Sequence, residues 1–307
     1  MRAESTIAQG FPGDQRVRQF RTGHRPSDRL VWSANPEEAA LTESTVDGVR
    51  YAADGPVATL TFDKPGRSNA MDVPMQARYG SALRQADADP AVRAVVVTGA
   101  GKAFCPGADL GLLDDISAAP PASGGGHENW RDVLAAAAVG VPVVAAVNGG
   151  CAGLGFVIAC SADVRFAAAG AKFTTAFARR GLIAEYGIAK LLPELVGQGR
   201  ARDLLLSGRT FTAEQAFAYG LVQEVVPPGE LGLRAHAYAT ELATYSAPRS
   251  MAVMKAQFSR EASLPLPEAA REATALMIES FARPELAEGL ASWNERRPPR
   301  FPPHPAP

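Results

Sequence analysis

The sequence predicts a layered α/β fold, and three observations carry that expectation. An apolar run at 92–97 empties into two glycine-rich turns, one around Gly99 and Gly101 and one at Gly107. A second apolar run, at 143–147, leads through Gly149, Gly150, Gly153 and Gly155 into an apolar helical stretch. Strand and helix patterns alternate from 46 to 98 and again from 143 to 167, the order that lays helices on a mostly parallel sheet. Glycine permits positive φ and lets a ligand come close to main-chain N–H groups. Two such turns therefore point to a site built from backbone donors.

Residues 1–45 carry Arg2, Arg16, Arg18, Arg21, Arg25 and Arg29 with little apolar periodicity, which reads as a flexible tail. Glu4, Asp14 and Asp28 argue against an organelle transit peptide, and no apolar stretch suits a secretory signal, so a cytoplasmic location is expected. Alternation in Val57-Ala58-Thr59-Leu60-Thr61-Phe62 gives two short strands over 46–63 around Asp54-Gly55. Helical spacing over 75–88 ends at Asp89-Pro90, and a strand follows at 93–98. Between Asp114 and Asn129 lies Ala119-Pro120-Pro121-Ala122-Ser123-Gly124, which reads as a flexible segment. Strands at 143–147 and 163–167 flank a helix at 153–161. Apolar residues at 188, 191, 192, 195 and 196 give an amphipathic helix, and another helix covers 200–207. Past Pro248 come helices at 251–261 and 267–282 and then a proline-rich tail. The expected division is a tail (1–45), a core (46–247) and C-terminal helices with the tail that follows them (248–307).

Composition narrows the function. The 307 residues are 47% hydrophobic with a formal net charge of -1, so no long-range field draws the protein to nucleic acid or an anionic membrane. The apolar run at 133–147 is interrupted by Gly140 and Pro142 and falls short of a membrane span. Cys105, Cys151 and Cys160 offer neither a disulfide framework nor a metal-ligand spacing, and no nearby histidine activates them. No metal site is expected. The glycine turns also fail the nucleotide fingerprints. A dinucleotide motif from Gly99 or Gly153 meets Phe104 or Ile158 where glycine is required, and a phosphate loop ending at Lys102 meets Val96 and Ala103.

Several segments together resemble the crotonase, or enoyl-CoA hydratase/isomerase, family. They are 57–65, Ser68-Asn69-Ala70-Met71, 103–110, 142–155, 162–167, 204–209 and 213–222. The resemblance covers roughly residues 46–258 and sharpens the fold to a spiral of repeated strand-strand-helix units. It implies C-terminal helices that pack against neighbouring subunits, in a homotrimer or a dimer of trimers. It also implies an acyl-CoA thioester as substrate, with no cofactor besides the coenzyme A that the substrate carries.

A thioester that loses an α-proton, or takes a nucleophile at its β-carbon, gathers charge on its carbonyl oxygen. Two backbone N–H groups aimed there form an oxyanion hole, at about 2.7–4 kcal/mol per donor. By resemblance the donors are the amides of Ala70 and Leu154. The two glutamates that hydratases use are replaced by Val157 and Phe177, which serve as apolar walls. Glu185, ahead of the amphipathic helix, stands where single-carboxylate isomerases of the family carry their acid. One carboxylate suffices to move a proton from C2 to C4 of a dienolate, and a dry pocket raises its pKa. An acid that complements the helix dipole is the plainer reading of Glu185. For coenzyme A the resemblance implies Arg67, Ser68, Ala108 and Leu110, with Asp109 fixing its turn and Lys64, Arg67 and Lys255 near the phosphates. Isomerisation built on Glu185 is the leading expectation. Hydration by unusual acid/base groups, silent acyl-CoA binding, and recruitment of the fold to specialised metabolism stay open.

Overall fold

The computed structural model describes residues 42–119 and 129–303. The expected tail therefore lies almost wholly outside the described residues, apart from its last few, which belong to a strand. β1 (Thr42–Val46), β2 (Val49–Asp54) and β3 (Val57–Phe62) form an antiparallel meander. This corrects the boundary at 45, which would cut through β1. Next come α1 (Val73–Ala88), β4 (Ala94–Gly99), β5 (Ala103–Cys105) and α2 (Leu110–Ala118). Then follow α3 (Trp130–Val133), α4 (Ala135–Ala138), β6 (Val143–Val147), β7 (Gly150–Ala152) and α5 (Leu154–Ser161). β8 (Val164–Ala168), β9 (Lys172–Thr174), α6 (Ile188–Val196), α7 (Gln198–Ser207), β10 (Phe211–Thr212), α8 (Ala213–Ala218) and β11 (Glu224–Val226) complete the spiral.

The strands make two sheets. One has the order β1-β2-β3-β4-β6-β8-β11 and is parallel from β3 onward. The other has the order β10-β9-β7-β5, with β5, β7 and β9 parallel. Each turn of the spiral thus runs from a long strand in the first sheet to a short one in the second and then into a helix. This is the mixed α/β architecture expected of the strand-strand-helix spiral.

The apolar runs have a direct cause. Val95, Val97, Val143, Ala145 and Val147 face a core shared with α1 and α5, while Ala94, Val96, Val144 and Ala146 face a second core. Parallel strands covered on both sides need both faces apolar. The second core is closed by Ala235, Ala239 and Ala243 of α9 (Leu231–Tyr245). α6 buries Ile188, Leu192 and Val196, one face at the expected spacing.

Two expectations need correction here. Asp114 and Asp115 lie within α2 rather than in a flexible segment, because Asp109 caps that helix through Gly111 N (2.9 Å); residues 120–128 are outside the described residues. The proline-rich tail does not begin after α10 (Pro248–Glu261) and α11 (Leu266–Phe281), since α12 (Pro284–Glu295) follows. Its proline stands in the first turn, where no N–H is required. No described helix is long and apolar enough to cross a membrane.

Candidate active site

The two glycine turns meet at one place. Asn69, fully buried, donates its side-chain amide to Ala100 O (2.9 Å) and Ala103 O (2.8 Å) and accepts from Lys64 N (3.0 Å). It thereby locks the segment before α1 onto the turn that contains β5. Met71 N donates to Gly107 O and Asp109 N to Met71 O, both at 2.9 Å. This parallel bridge flanks Ala108, so the Ala108 N–H points the other way and meets no acceptor among the described residues.

Leu154 opens α5 behind Gly153, whose φ is 50°. The first amides of a helix have no intrahelical partner and sit at the positive end of its dipole. Gly155 brings this turn against the Cys105 carbonyl, which a side chain at 155 would strike. A Cβ at Gly107, where φ is 116°, would lie 3.7 Å from Leu154 N. The Ala108 and Leu154 amides therefore border one cavity, of about 30 Å³, with Gly153, Phe177 and Glu185 in its wall. That is roughly the room of one water or one carbonyl oxygen.

Ala70 is corrected by the same geometry. Its N–H is held by Arg67 O at 3.0 Å, and it does not line this cavity, whereas Ala108 does. Leu154 begins α5 and lines the cavity. Val157 is also displaced from its expected role: it is fully buried one turn into α5, with its N–H on Gly153 O (3.0 Å), and does not reach the cavity. Phe177, 3% exposed, does line it.

Glu185 comes from the turn before α6, shaped by Tyr186 and Gly187 at φ of 50° and 72°. Ile188 N closes the turn on Glu185 O (3.0 Å). The carboxylate is half-buried, and burial pushes its pKa above the usual range. No described side chain donates a hydrogen bond to it. Arg180 lines the same cavity but forms no ion pair with Glu185, and a half-buried carboxylate without a donor is poised to accept a proton.

The coenzyme A candidates divide. Arg67, Ser68 and Leu110 are exposed and do not line the cavity, whereas Ala108 does. Arg67 Nη1 donates to Asp109 Oδ2 (2.9 Å), and this bond, with the Gly111 amide, holds the Asp109 pKa down. Asp109 thus orders its turn. Lys64 is engaged by Asp72 (2.6 Å), which caps α1 through Met75 N. Lys255 is a correction: its three ammonium protons go to Ala136 O (3.1 Å), Val141 O (2.8 Å) and Asp163 Oδ2 (2.6 Å), so none remains for a phosphate. The three thiols are buried, and burial pushes Cys105 and Cys160 up to about 12, which keeps them protonated.

Sequence reasoning missed a second cavity, of about 480 Å³, that shares Ala108, Leu113, Glu185 and Tyr186 with the first. Gln76, Asn129 and Trp130 also line it, and no motif marked them.

The model of the enoyl-CoA hydratase/isomerase family matches residues 52–303. A probable enoyl-CoA hydratase of Mycobacterium tuberculosis is 32% identical over 84% of this chain and 98% of its own length. The 1,2-epoxyphenylacetyl-CoA isomerase of Escherichia coli is 38% identical over 61% of this chain and 73% of its own. The solved structure of an enoyl-CoA hydratase from Polaromonas sp. JS666 superposes with a TM-score of 0.77 at 27% identity, covering 82% of this chain and 99% of that one.

Proposed function

Because the chain belongs to the enoyl-CoA hydratase/isomerase family, we propose that it isomerises enoyl-CoA thioesters, with Glu185 carrying one proton between C2 and C4. The observation that carries this reading is that Glu185 is the one carboxylate among the described residues lining the cavity between the two free amides. The Ala108 and Leu154 amides receive the thioester oxygen. Glu185 takes a proton from C2 of a 3-enoyl-CoA, and the electron pair spreads through the dienolate to that oxygen. The same proton then goes to C4, leaving a double bond between C2 and C3. Substrate and product have the same atoms, and no group besides the substrate's own thioester is needed. Phe177 keeps the carboxylate in apolar surroundings that favour its protonated form midway through the shuttle.

Hydration is the second reading. The relatives named as hydratases and a cavity the size of one water favour it. It requires one group to activate water and another to protonate C2, and Val157 and Phe177 stand where the resemblance puts those two acids. Incubation with 2-enoyl- and 3-enoyl-CoA esters separates the readings. Positional isomers without 3-hydroxyacyl-CoA support the shuttle, and 3-hydroxyacyl-CoA as the main product overturns it.

The assembly belongs to the same proposal. Phe258 (80% exposed), Leu266 (81%) and Trp293 (84%) leave α10, α11 and α12 apolar on their outer side. Further copies of this chain, in a trimer or a dimer of trimers, would cover them.

A further inference from the structure

We propose that the larger cavity accepts an acyl group bearing an oxygen function, a hydroxyl or a carbonyl, rather than a plain hydrocarbon chain. This inference rests on the acyl-CoA reading above and names the substrate class of that same site. Three polar side chains from separate segments converge in the cavity wall. Gln76, on the α1 face that also presents Val73 one turn earlier, is 2% exposed. Its carbonyl accepts from Asn129 Nδ2 at 2.9 Å. The other Nδ2 proton of Asn129 goes to the Tyr186 hydroxyl at 3.3 Å.

The inventory of donors is then decisive. Because the Tyr186 oxygen is already an acceptor, its own proton is free to donate. The two N–H groups of the Gln76 amide meet no acceptor among the described residues, nor does the Tyr186 proton. Donors left without partners at a site that closes over its ligand carry a desolvation cost. A hydrocarbon chain in this cavity would displace water and leave them unpaired. An oxygen atom on the acyl group would take those N–H or O–H bonds. Leu113 and Trp130 supply apolar wall around the polar trio, the usual makeup of a specific small-molecule pocket: largely apolar, about 300–1,000 Å³, with a few placed polar groups. The position of Tyr186, next in sequence to Glu185, puts the trio in the pocket where the double bond would react.

Binding of saturated, unreactive esters tests this without turnover. Butanoyl- to octanoyl-CoA are each compared with the ester of the same length carrying a terminal hydroxyl, by calorimetry on the intact protein. The expected result is that at least one hydroxylated ester binds roughly tenfold tighter than its parent, as one or two well-placed hydrogen bonds give. That ratio should fall towards one in Gln76→Leu and in Tyr186→Phe. The wild-type ratio stands alone if either variant fails to fold. Parent esters that bind as tightly as their hydroxylated partners at every length overturn the inference and leave the acyl-CoA reading intact. Failure of every ester to bind better than free coenzyme A overturns both.

Discussion

Glu185 is a carboxylate in surroundings that resist its charge, and this has consequences for stability and rate. Burial raises its pKa, so the folded protein holds a proton at pH values where the unfolded chain has released it. Its contribution to stability is full below the usual carboxylate range and is lost as pH rises through the raised value. Glu185→Gln should therefore melt at a higher temperature than the wild type at neutral pH, and the gap should close in acid; thermal denaturation across pH reads this directly. Activity should run the opposite way in the wild type, rising as the carboxylate ionises. The glycines make a second prediction. Gly155→Ala drives a methyl into the Cys105 carbonyl and should cost about 1–3 kcal/mol in chemical denaturation, the usual penalty of overpacking. Gly150→Ala, with nothing within 4 Å of its Cβ, should be neutral. Both glycine turns were legible in the sequence because each depends on local chain geometry, whereas Leu154 and Glu185 were singled out only by the family resemblance. The second proposed donor was not. Whether Ala70 or Ala108 offers a free N–H depends on the bridge between Met71 and the 107–109 turn, which no local pattern encodes.

α5 presents its first amide to the site, and its far end is held by a buried cation. The Arg165 guanidinium, 3% exposed, donates to Leu221 O (2.7 Å), Ala159 O (3.4 Å), Cys160 O (3.4 Å) and Ala162 O. The Ala159, Cys160 and Ala162 carbonyls are ones that the end of α5 leaves without partners, and Leu221 O ties that end to the segment after α8. Arg165→Met keeps the volume but strips those bonds, and should destabilise the protein by about 3 kcal/mol or more in urea titration. At the chain's other end, Arg297 and the Arg300 amide pull the Glu288 pKa down to about 2. Glu288 thus stabilises the turn after α12 at every pH above the usual carboxylate range, and that contribution is lost as pH falls towards about 2. Glu288→Gln should lose amide protection at Arg300 in hydrogen exchange at neutral pH. The main helices were visible from their spacing and caps, but α12 was hidden because Pro284 and Arg283 look like the start of a tail. Only packing on the rest of the chain distinguishes a proline that begins a helix from one that ends it.

At the scale of the molecule, the layered alternation of strands and helices was readable from the apolar runs and the strand-strand-helix unit from the family resemblance, whereas the order of strands in two sheets required the long-range pairings. If copies of the chain cover the exposed apolar side of α10–α12 as proposed, light scattering should give three or six times the mass of the chain. Phe258→Asp should shift that mass towards one, and a monomeric wild type would refute the proposed assembly. The proposed chemistry rests on one carboxylate in the cavity that a pair of amides borders, and heavy water tests that proposal most directly. A 3-enoyl-CoA is incubated in deuterium oxide with the wild type and with Glu185→Gln, and exchange at C2 and C4 is followed alongside isomerisation. The account predicts isomerisation in the wild type with the C2 hydrogen delivered to C4 and little deuterium in the first-formed product, and loss of isomerisation by a factor of about 10²–10⁴ in the variant, with acyl-CoA binding retained. Equal rates in the two proteins would contradict it.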